Sequence, residues 1–571
     1  MDNAGVAALL NEIALLLEMK GENVYRIRAY QRAAETVRSL GEPLAALRAR
    51  GELAKQPGIG RGLAETIEQA LDGRPIPLRE ELYQSFPPGV VTLMSVPGVG
   101  PRLAARVYQE LGVASIDELE AAARDGRLAG LPRVGGKTAA NILRNIEAMR
   151  SRGTRLPIAA AIPIVGAVMD ALRQSPHLHN LTPAGSFRRF RETVGDLDLI
   201  GTSDQPDEVM DRLVHLPHVR EVVAHGQTKT SVIIEPGLQL DLRLVADEDF
   251  GSLLQHFTGS QQHNIQLREY AAARGKKVRE YGILDAATGQ EHHFAREEDV
   301  YAFLGLQFIP PEIREGLDEV ERAAQHTIPR LVEIGDIRGD LHMHTTASDG
   351  HNTLTEMVQA ARRHGYDYIA IADHSGGLAV ARGLSVERLR EHVAEIRSFN
   401  EQLGDIRVLA GSEVDIRADG TLDYPDAVLA ELDLVVASIH SAMSQDEETM
   451  TRRLLAAIEN PHVDIIGHPS ARIIGQREPV RFDRAAVFAA AARTRTALEV
   501  NAHPSRLDLK DSDVRLARAA GCVLTIDTDA HAVAELDLMP YGVRTARRGW
   551  AEPSDVMNTR PLGELLAWLN R

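Results

Sequence analysis

From residue 339 onward the chain repeats one pattern: a short apolar run ends on a histidine or an acid, helical spacing follows, and the pattern begins again. The closing pieces are Gly339-Asp340-Leu341-His342-Met343-His344 with Asp349 five residues on, Ala372-Asp373-His374, Gly411-Ser412-Glu413-Val414-Asp415, Ser438-Ile439-His440, Gly467-His468-Pro469 and Thr528-Asp529-Ala530-His531. Alternating strand and helix builds a parallel sheet, and side chains at the C-terminal ends of successive parallel strands converge on one mouth of a barrel. His342 and His344 alternate on one strand and so point the same way. A single histidine is usually a satisfied core or surface residue. Six of them, with Asp349, Glu413 and Asp529, most closing an apolar strand, are better explained as imidazole and carboxylate ligands of metal ions.

A second constellation lies upstream. In 185–200, Gly-Ser-Phe-Arg-Arg-Phe-Arg-Glu-Thr-Val-Gly-Asp-Leu-Asp-Leu-Ile, Asp196 and Asp198 face one side of a strand while Leu197 and Leu199 face the other. Neighbouring carboxylates repel, and a divalent cation is what keeps such a pair together. Leu238-Gln239-Leu240-Asp241-Leu242 alternates again and puts Asp241 on a polar face. Gly185-Ser186 offers a turn whose backbone N–H groups can approach a phosphate, and Arg188, Arg189 and Arg191 offer charge for the rest of a polyphosphate.

The N-terminal region reads as helical: Val6, Leu9, Leu10, Ile13, Leu16 and Leu17 keep a 3.6-residue period. Pro57-Gly58-Ile59-Gly60 and Pro97-Gly98-Val99-Gly100 each precede apolar residues at helical spacing, and Leu131-Pro132-Arg133-Val134-Gly135-Gly136 is a weaker copy. Such turns are helix-hairpin-helix signatures. Gly58, Gly60, Gly98, Gly100 and Gly135 would present backbone N–H groups to a DNA phosphate without reading base sequence.

At 571 residues the chain is long enough for several domains. Its net charge of −17 is unevenly spread: residues 1–150 carry 19 Lys+Arg against 18 Asp+Glu, and residues 331–571 carry 26 against 37. The acid gathers where metal sites are expected, and DNA affinity should be modest and salt-sensitive. Cys522, the one cysteine, excludes an internal disulfide and a CxxC zinc module. With no apolar run of membrane-spanning length and no basic region after Met1, a cytoplasmic protein without membrane contact is expected.

The run 185–200 resembles the palm signature of nucleotidyltransferases, most closely that of family X DNA polymerases. The block from 339 resembles the PHP (polymerase and histidinol phosphatase) phosphoesterases. The resemblance implies Mg²⁺ or Mn²⁺ on Asp196, Asp198 and Asp241, with nucleotide contacts from Arg155, Gly185, Ser186, Arg189, Gly195, Phe257, Gly259, Asn264 and Arg268. It implies up to three Mn²⁺ or Zn²⁺ ions on His342, His344, Asp349, His374, Glu413, His440, His468, Asp529 and His531.

Three departures stand out. His256 replaces a tyrosine, Phe190 replaces a glycine that normally closes the phosphate turn and could misplace that loop, and Thr66 replaces the lysine that forms a Schiff base in lyase-active members. A hydroxyl cannot form an imine, so lyase activity should be weak or absent. Lys55 is the nearest alternative amine, although a solvated surface lysine is the plainer reading.

The expected fold is multidomain: a helical domain over 1–85, a fingers-like helical domain over 86–150, and a palm with a mixed sheet over 151–255. A thumb-like domain of helical or α+β type over 256–322, a linker over 323–335 and a distorted (β/α)₇ PHP barrel over 336–571 complete it. The expected enzyme is a gap-filling DNA-directed DNA polymerase of DNA repair joined to a 3′→5′ exonuclease, with AP endonuclease or 3′-phosphatase action as further expectations. Its partners are gapped or primer-template DNA and deoxynucleoside triphosphates, and it is expected to be a monomer. The alternative is a repair nuclease with a weakened or inactive palm, suggested by Phe190, His256 and Thr66. The helix-hairpin-helix copies argue against a small-molecule phosphatase, and nothing resembles the tRNA-end or poly(A) module of an RNA-directed nucleotidyltransferase.

Overall fold

The computed structural model describes residues 3–38, 44–56, 58–96, 98–132, 134–151, 155–378 and 381–570, so the motif positions Pro57, Pro97 and Arg133 lie outside the described residues. The chain divides into two compact units, Met1–Gly153 and Thr154–Arg571.

The first unit is helical throughout its described residues. Val6, Leu10, Ile13, Leu16 and Leu17 of the helix Asn3–Lys20 are fully buried, as their period requires. Three exposed turns recur. Ile59 N–H donates to Gln56 O, Val99 N–H to Val96 O and Val134 N–H to Leu131 O, and the helices Arg61–Leu71, Pro101–Leu111 and Gly136–Ser151 follow. Gly58 and Gly98 sit at φ +77° and +93°, where a side chain is strained, while Gly60 and Gly100 cap the next helix. The third copy, weaker in sequence, repeats the hydrogen bond between its described ends.

In the second unit a five-stranded mixed sheet has the order Leu178–Pro183, Asp196–Ser203, Leu238–Val245, Lys229–Ile234, Val219–Ala224. Only Asp196–Ser203 and Leu238–Val245 run parallel. A small antiparallel sheet, Lys276–Val278 to Glu291–His292, follows the helices Phe250–Thr258 and Gln261–Ala272. The last part is a sheet of seven parallel strands, from Gly339–Met343 to Leu524–Asp527. It nearly closes on itself: Met343 bridges Ala530, and His344 N–H donates to Ala530 O at 2.8 Å. No described helix is long and apolar enough to cross a membrane.

Candidate active sites

Register builds the palm site. Asp198 lies opposite Asp241 on the adjacent parallel strand, and Asp196 lies opposite Gln239. Leu197 and Leu199 are buried while Asp196 is exposed and Asp198 half-buried, which is the expected alternation. Burial, then the charges of Asp196 and Asp241, push the Asp198 carboxyl up to about 6. Burial would raise Asp241 too, but Lys229 Nζ at 2.6 Å and Gln239 Nε2 at 2.9 Å outweigh it and hold that carboxyl below its ordinary range.

Beside them the chain makes a helical turn, Gly185–Arg188, rather than the simple tight turn read from sequence. Gly185 has φ +61°, and a Cβ there would lie 3.0 Å from Asp198 Oδ2, so glycine is what lets the turn pass the carboxylate. Ser186 Oγ is buried without a hydrogen-bond partner. A buried hydroxyl left unpaired costs about 1–3 kcal/mol, so this atom fits a site that takes up a phosphate oxygen.

Around this centre the other nucleotide-site residues divide. Arg155 donates from Nη2 to Thr193 O at 2.5 Å, and a Cβ on Gly195 would lie 3.1 Å from its Nη1. Arg243 covers the Phe257 ring at 4.2 Å, and His256 stacks edge-on against it at 5.1 Å. Gly259 sits at φ +66°, and Arg268 is exposed. Asn264 is occupied within the protein: it accepts from Gln255 Nε2 and donates to His256 O.

The arginine cluster needs correcting, because its charge is already engaged. Arg188 meets Glu297 at 2.8 Å, Arg189 meets Glu315 at 3.2 Å and donates to Thr258 O at 2.5 Å, and Arg191 meets Glu315 at 3.2 Å. Phe190 also differs from expectation. It keeps the left-handed backbone of a glycine, φ 55°, with its ring buried 5.8 Å from Tyr541 and 5.0 Å from the Arg544 guanidinium, both C-terminal residues. The side chain joins the palm to the barrel.

In the barrel the expected ligands meet at one mouth. Three groups have ligand atoms within 4.8 Å of one another: His344, Asp349, His374 and His531; His342, His344, Glu413 and Asp529; and His374, Glu413 and His440. Shared His344, His374 and Glu413 link them into one centre. Eight of the nine expected residues belong to these groups. The ninth, His468, is outside them but places Nε2 2.9 Å from Glu413 Oε1.

The centre is largely buried and poorly self-satisfied. His342 Nε2, His344 Nδ1, His374 Nδ1, His440 Nδ1, His468 Nδ1 and Glu413 Oε2 are buried without hydrogen-bond partners. His374 Nδ1 approaches Glu413 Oε2 to 2.9 Å, yet the pair is not aligned as a hydrogen bond. Buried polar atoms left unpaired in and around one mouth would be costly in a site meant to stay empty, and nitrogen and carboxylate donors in this mixture suit Mn²⁺ or Zn²⁺. The residues therefore fit the metal ions expected of them.

Their electrostatics is one of mutual compensation. Burial depresses His344 to about 4, helped by His531 and His374. Burial opposes charge on His374 as well, but Glu413 and Asp349 push it up to about 10. Glu413 stays well below the carboxylate range despite burial because His440, His374 and His342 surround it.

Sequence reasoning missed the residues that orient these ligands. Glu499, fully buried, takes His342 Nδ1 at 2.6 Å and the His468 N–H at 2.5 Å. Asn501 donates to Asp529 Oδ2 at 3.1 Å, and Asp373 accepts from Thr345 and Ser348 beneath His374. The available signal was a lone glutamate in the apolar run Ala497–Asn501. In the first unit, Thr66 is buried and its hydroxyl donates to Gly62 O at 3.0 Å, while Lys55 is exposed and 3.7 Å from Glu52.

A two-carboxylate strand with a phosphate turn, joined to a histidine-lined parallel barrel, defines a polymerase-type palm on a PHP phosphoesterase. Family models agree along the chain: a helix-hairpin-helix domain over residues 1–74, a SAM-like helix-hairpin-helix tandem over 90–148, the DNA polymerase beta thumb over 253–315 and the PHP domain over 340–503. Over 573 aligned residues the chain is 41% identical to the DNA polymerase/3′-5′ exonuclease PolX of Bacillus subtilis (strain 168), covering 100% of both proteins. It is also 34% identical over 202 residues to a probable phosphatase of Shewanella sediminis, 34% of this chain and 77% of that protein. A probable phosphatase of Thermoanaerobacter sp. (strain X514) is 28% identical over 232 residues, 38% of this chain and 89% of that protein. The chain belongs to the bacterial family X DNA polymerases with a C-terminal PHP domain.

Proposed function

We propose that this protein extends primer 3′ ends, as in gap filling during DNA repair, at the palm, and trims 3′ ends at the barrel mouth. One observation carries the reading: a barrel mouth of metal-type donors with orphaned buried atoms, and a palm strand pair that sets Asp198 opposite Asp241, stand in a chain similar over its whole length to a DNA polymerase/3′-5′ exonuclease. The proposed substrates are gapped or primer-template DNA and deoxynucleoside triphosphates. The proposed domains keep the bounds 1–85, 86–150, 151–255, 256–322 and 336–571, joined by the linker 323–335.

In the palm, Asp196, Asp198 and Asp241 would hold Mg²⁺ or Mn²⁺, and Lys229 gives up its hold on Asp241 when they do. The backbone of Gly185–Ser186 and the Ser186 hydroxyl bind phosphate oxygens, with Arg155 and Gly195 flanking. Phe257, Gly259 and Arg268 bound the sugar and base side. Arg189 and Asn264 act indirectly, by holding the Thr258–Gly259 peptide and the end of the helix Phe250–Thr258. Bound divalent ions supply a lowered pKa for an attacking hydroxyl and charge stabilisation for the leaving group.

At the barrel mouth the nine ligands would hold up to three Mn²⁺ or Zn²⁺ ions. There Glu499 fixes the His342 ring through Nδ1, and the surrounding apolar strands limit water to the open side. The test is a gapped duplex incubated with Mn²⁺, with and without nucleotides, read at single-base resolution. Extension with nucleotides and stepwise 3′ shortening without them are expected. Products that never lengthen would leave a nuclease with an inert palm.

A further inference from the structure

A cleft of 190 Å³ lies where the palm meets the barrel, lined by Arg191, Arg472, Lys510 and Arg548 against Glu192 and Asp511. Positive charge is in local excess there, in a chain whose net charge is −17. Two of the four cations are fixed wall. Arg472, its side chain 8% exposed, donates to Glu192 Oε2 at 2.8 Å, Arg506 O at 2.8 Å and Leu507 O at 2.6 Å. Arg548 donates to Asp511 Oδ2 at 2.6 Å, Glu315 Oε1 at 3.0 Å and Arg189 O at 2.5 Å.

The other two can reach a ligand. The Arg191 side chain is 46% exposed and shares Glu315, at 3.2 Å, with Arg189 and Arg548, so one carboxylate meets three guanidiniums, and Lys510 makes no ion pair among the described residues. In sequence, two of its residues lie close to the two candidate sites. Arg191 follows the Gly185–Arg188 turn by three residues, and Lys510 follows Arg506, whose Nε is 3.7 Å from Asp529 Oδ2. A point-charge ammonium beside a guanidinium fork matches the two free oxygens of a phosphodiester. The volume suits one such group and falls below the roughly 300 Å³ at which small-molecule pockets begin, which disfavours a nucleoside triphosphate.

We propose that this cleft binds one phosphodiester of the DNA strand whose 3′ end is handled by the two sites, with Lys510 and Arg191 as its ligands. The inference rests on the polymerase–exonuclease reading above. Its test reads binding and not turnover: the full chain with its divalent ions retained, titrated against a fluorescent recessed duplex with nuclease-resistant phosphorothioate 3′ ends at several salt concentrations. Lys510→Ala should lower the slope of log K against log[salt] by about 0.7–0.9, the loss of one phosphate contact, and Lys510→Arg should restore it. Arg452→Ala, which removes an exposed charge on a barrel helix paired with Glu448, is the control.

A slope unchanged in Lys510→Ala, or one lowered equally in Arg452→Ala, overturns the proposal. Lys510-dependent binding of inorganic pyrophosphate with an unchanged DNA slope overturns it too, assigning the cleft to free phosphate. A parent protein that binds no DNA sinks this proposal together with the function it rests on, whereas any of the three outcomes above with normal parent binding sinks this one alone.

Discussion

The palm and the barrel solve the same problem, keeping acids close together, by opposite means. In the palm Asp196 stays exposed, and Lys229 at 2.6 Å from Asp241 provides a positive charge from within the chain. In the barrel the carboxylates are enclosed by histidines, and six donor atoms are buried with nothing to bind. A palm of this kind can fold first and recruit ions with substrate. In the barrel mouth imidazoles balance the acids, and Glu413 and Asp349 push His374 up to about 10 against its burial. These same rings are the expected ligands, so ions bound there would support structure as well as chemistry.

The comparison breaks most decisively in crossed mutants. Asp198→Ala should cut primer extension on the order of 10³-fold, the scale of losing a catalytic ion's electrostatic support, with 3′ digestion near the parent rate. His344→Ala should do the reverse, since His344 serves two of the three ligand groups. Single-turnover assays of both activities on both variants decide it. If either variant loses both activities while remaining folded, the sites are not independent.

Chelation should separate the two regions next. An ion present at about a thousandfold its dissociation constant stabilises the folded state by about 4 kcal/mol, so EDTA should loosen the barrel by at least that scale. Hydrogen exchange resolved by segment is the measurement, because one unfolding temperature is ill-defined for a multidomain chain. Protection should fall in the strands Gly339–Met343 and Arg407–Asp415 and change little in Asp196–Ser203. Equal loss in both would mean that the palm too is built around its ions.

How much of this was legible in sequence follows from what is local. Alternation placed Asp196, Asp198 and Asp241, and strand-end recurrence picked out eight residues, of the nine expected ligands, that fall into overlapping groups, because both depend on spacing within a few residues. Even the faint third hairpin was readable, since the Leu131–Val134 hydrogen bond and the helix after it are local. The arginines were not. Arg188 and Arg189 find Glu297 and Glu315 more than 100 residues away, and no period announces such a partner. Phe190 was misread for the same reason: its ring answers to Tyr541 and Arg544, far along the chain.

Those long-range arginine partners supply the last and smallest test. Glu297 is 4% exposed and lies between Arg188 and Arg314. Burial alone would raise its carboxyl, but the two guanidiniums outweigh it and hold it at about 2, against 4.5 for the ordinary group. A depressed folded-state pKa contributes stability that is complete above 4.5 and is lost as pH falls through 2. The difference corresponds to about 3 kcal/mol at neutral pH. Glu297→Gln should therefore lower the protection of the helix Glu297–Phe303 by about that amount at pH 7, leaving Arg314 buried without its carboxylate. The penalty should shrink toward pH 2, where the parent's own carboxyl is half protonated. In the barrel, where His–carboxylate pairs do the same work, acid attacks the imidazole donors instead, since a protonated ring cannot bind a metal. A Glu297→Gln penalty that stayed constant from pH 7 to pH 2.5 would show that Glu297 supports its helix by shape and hydrogen bonding, not by charge.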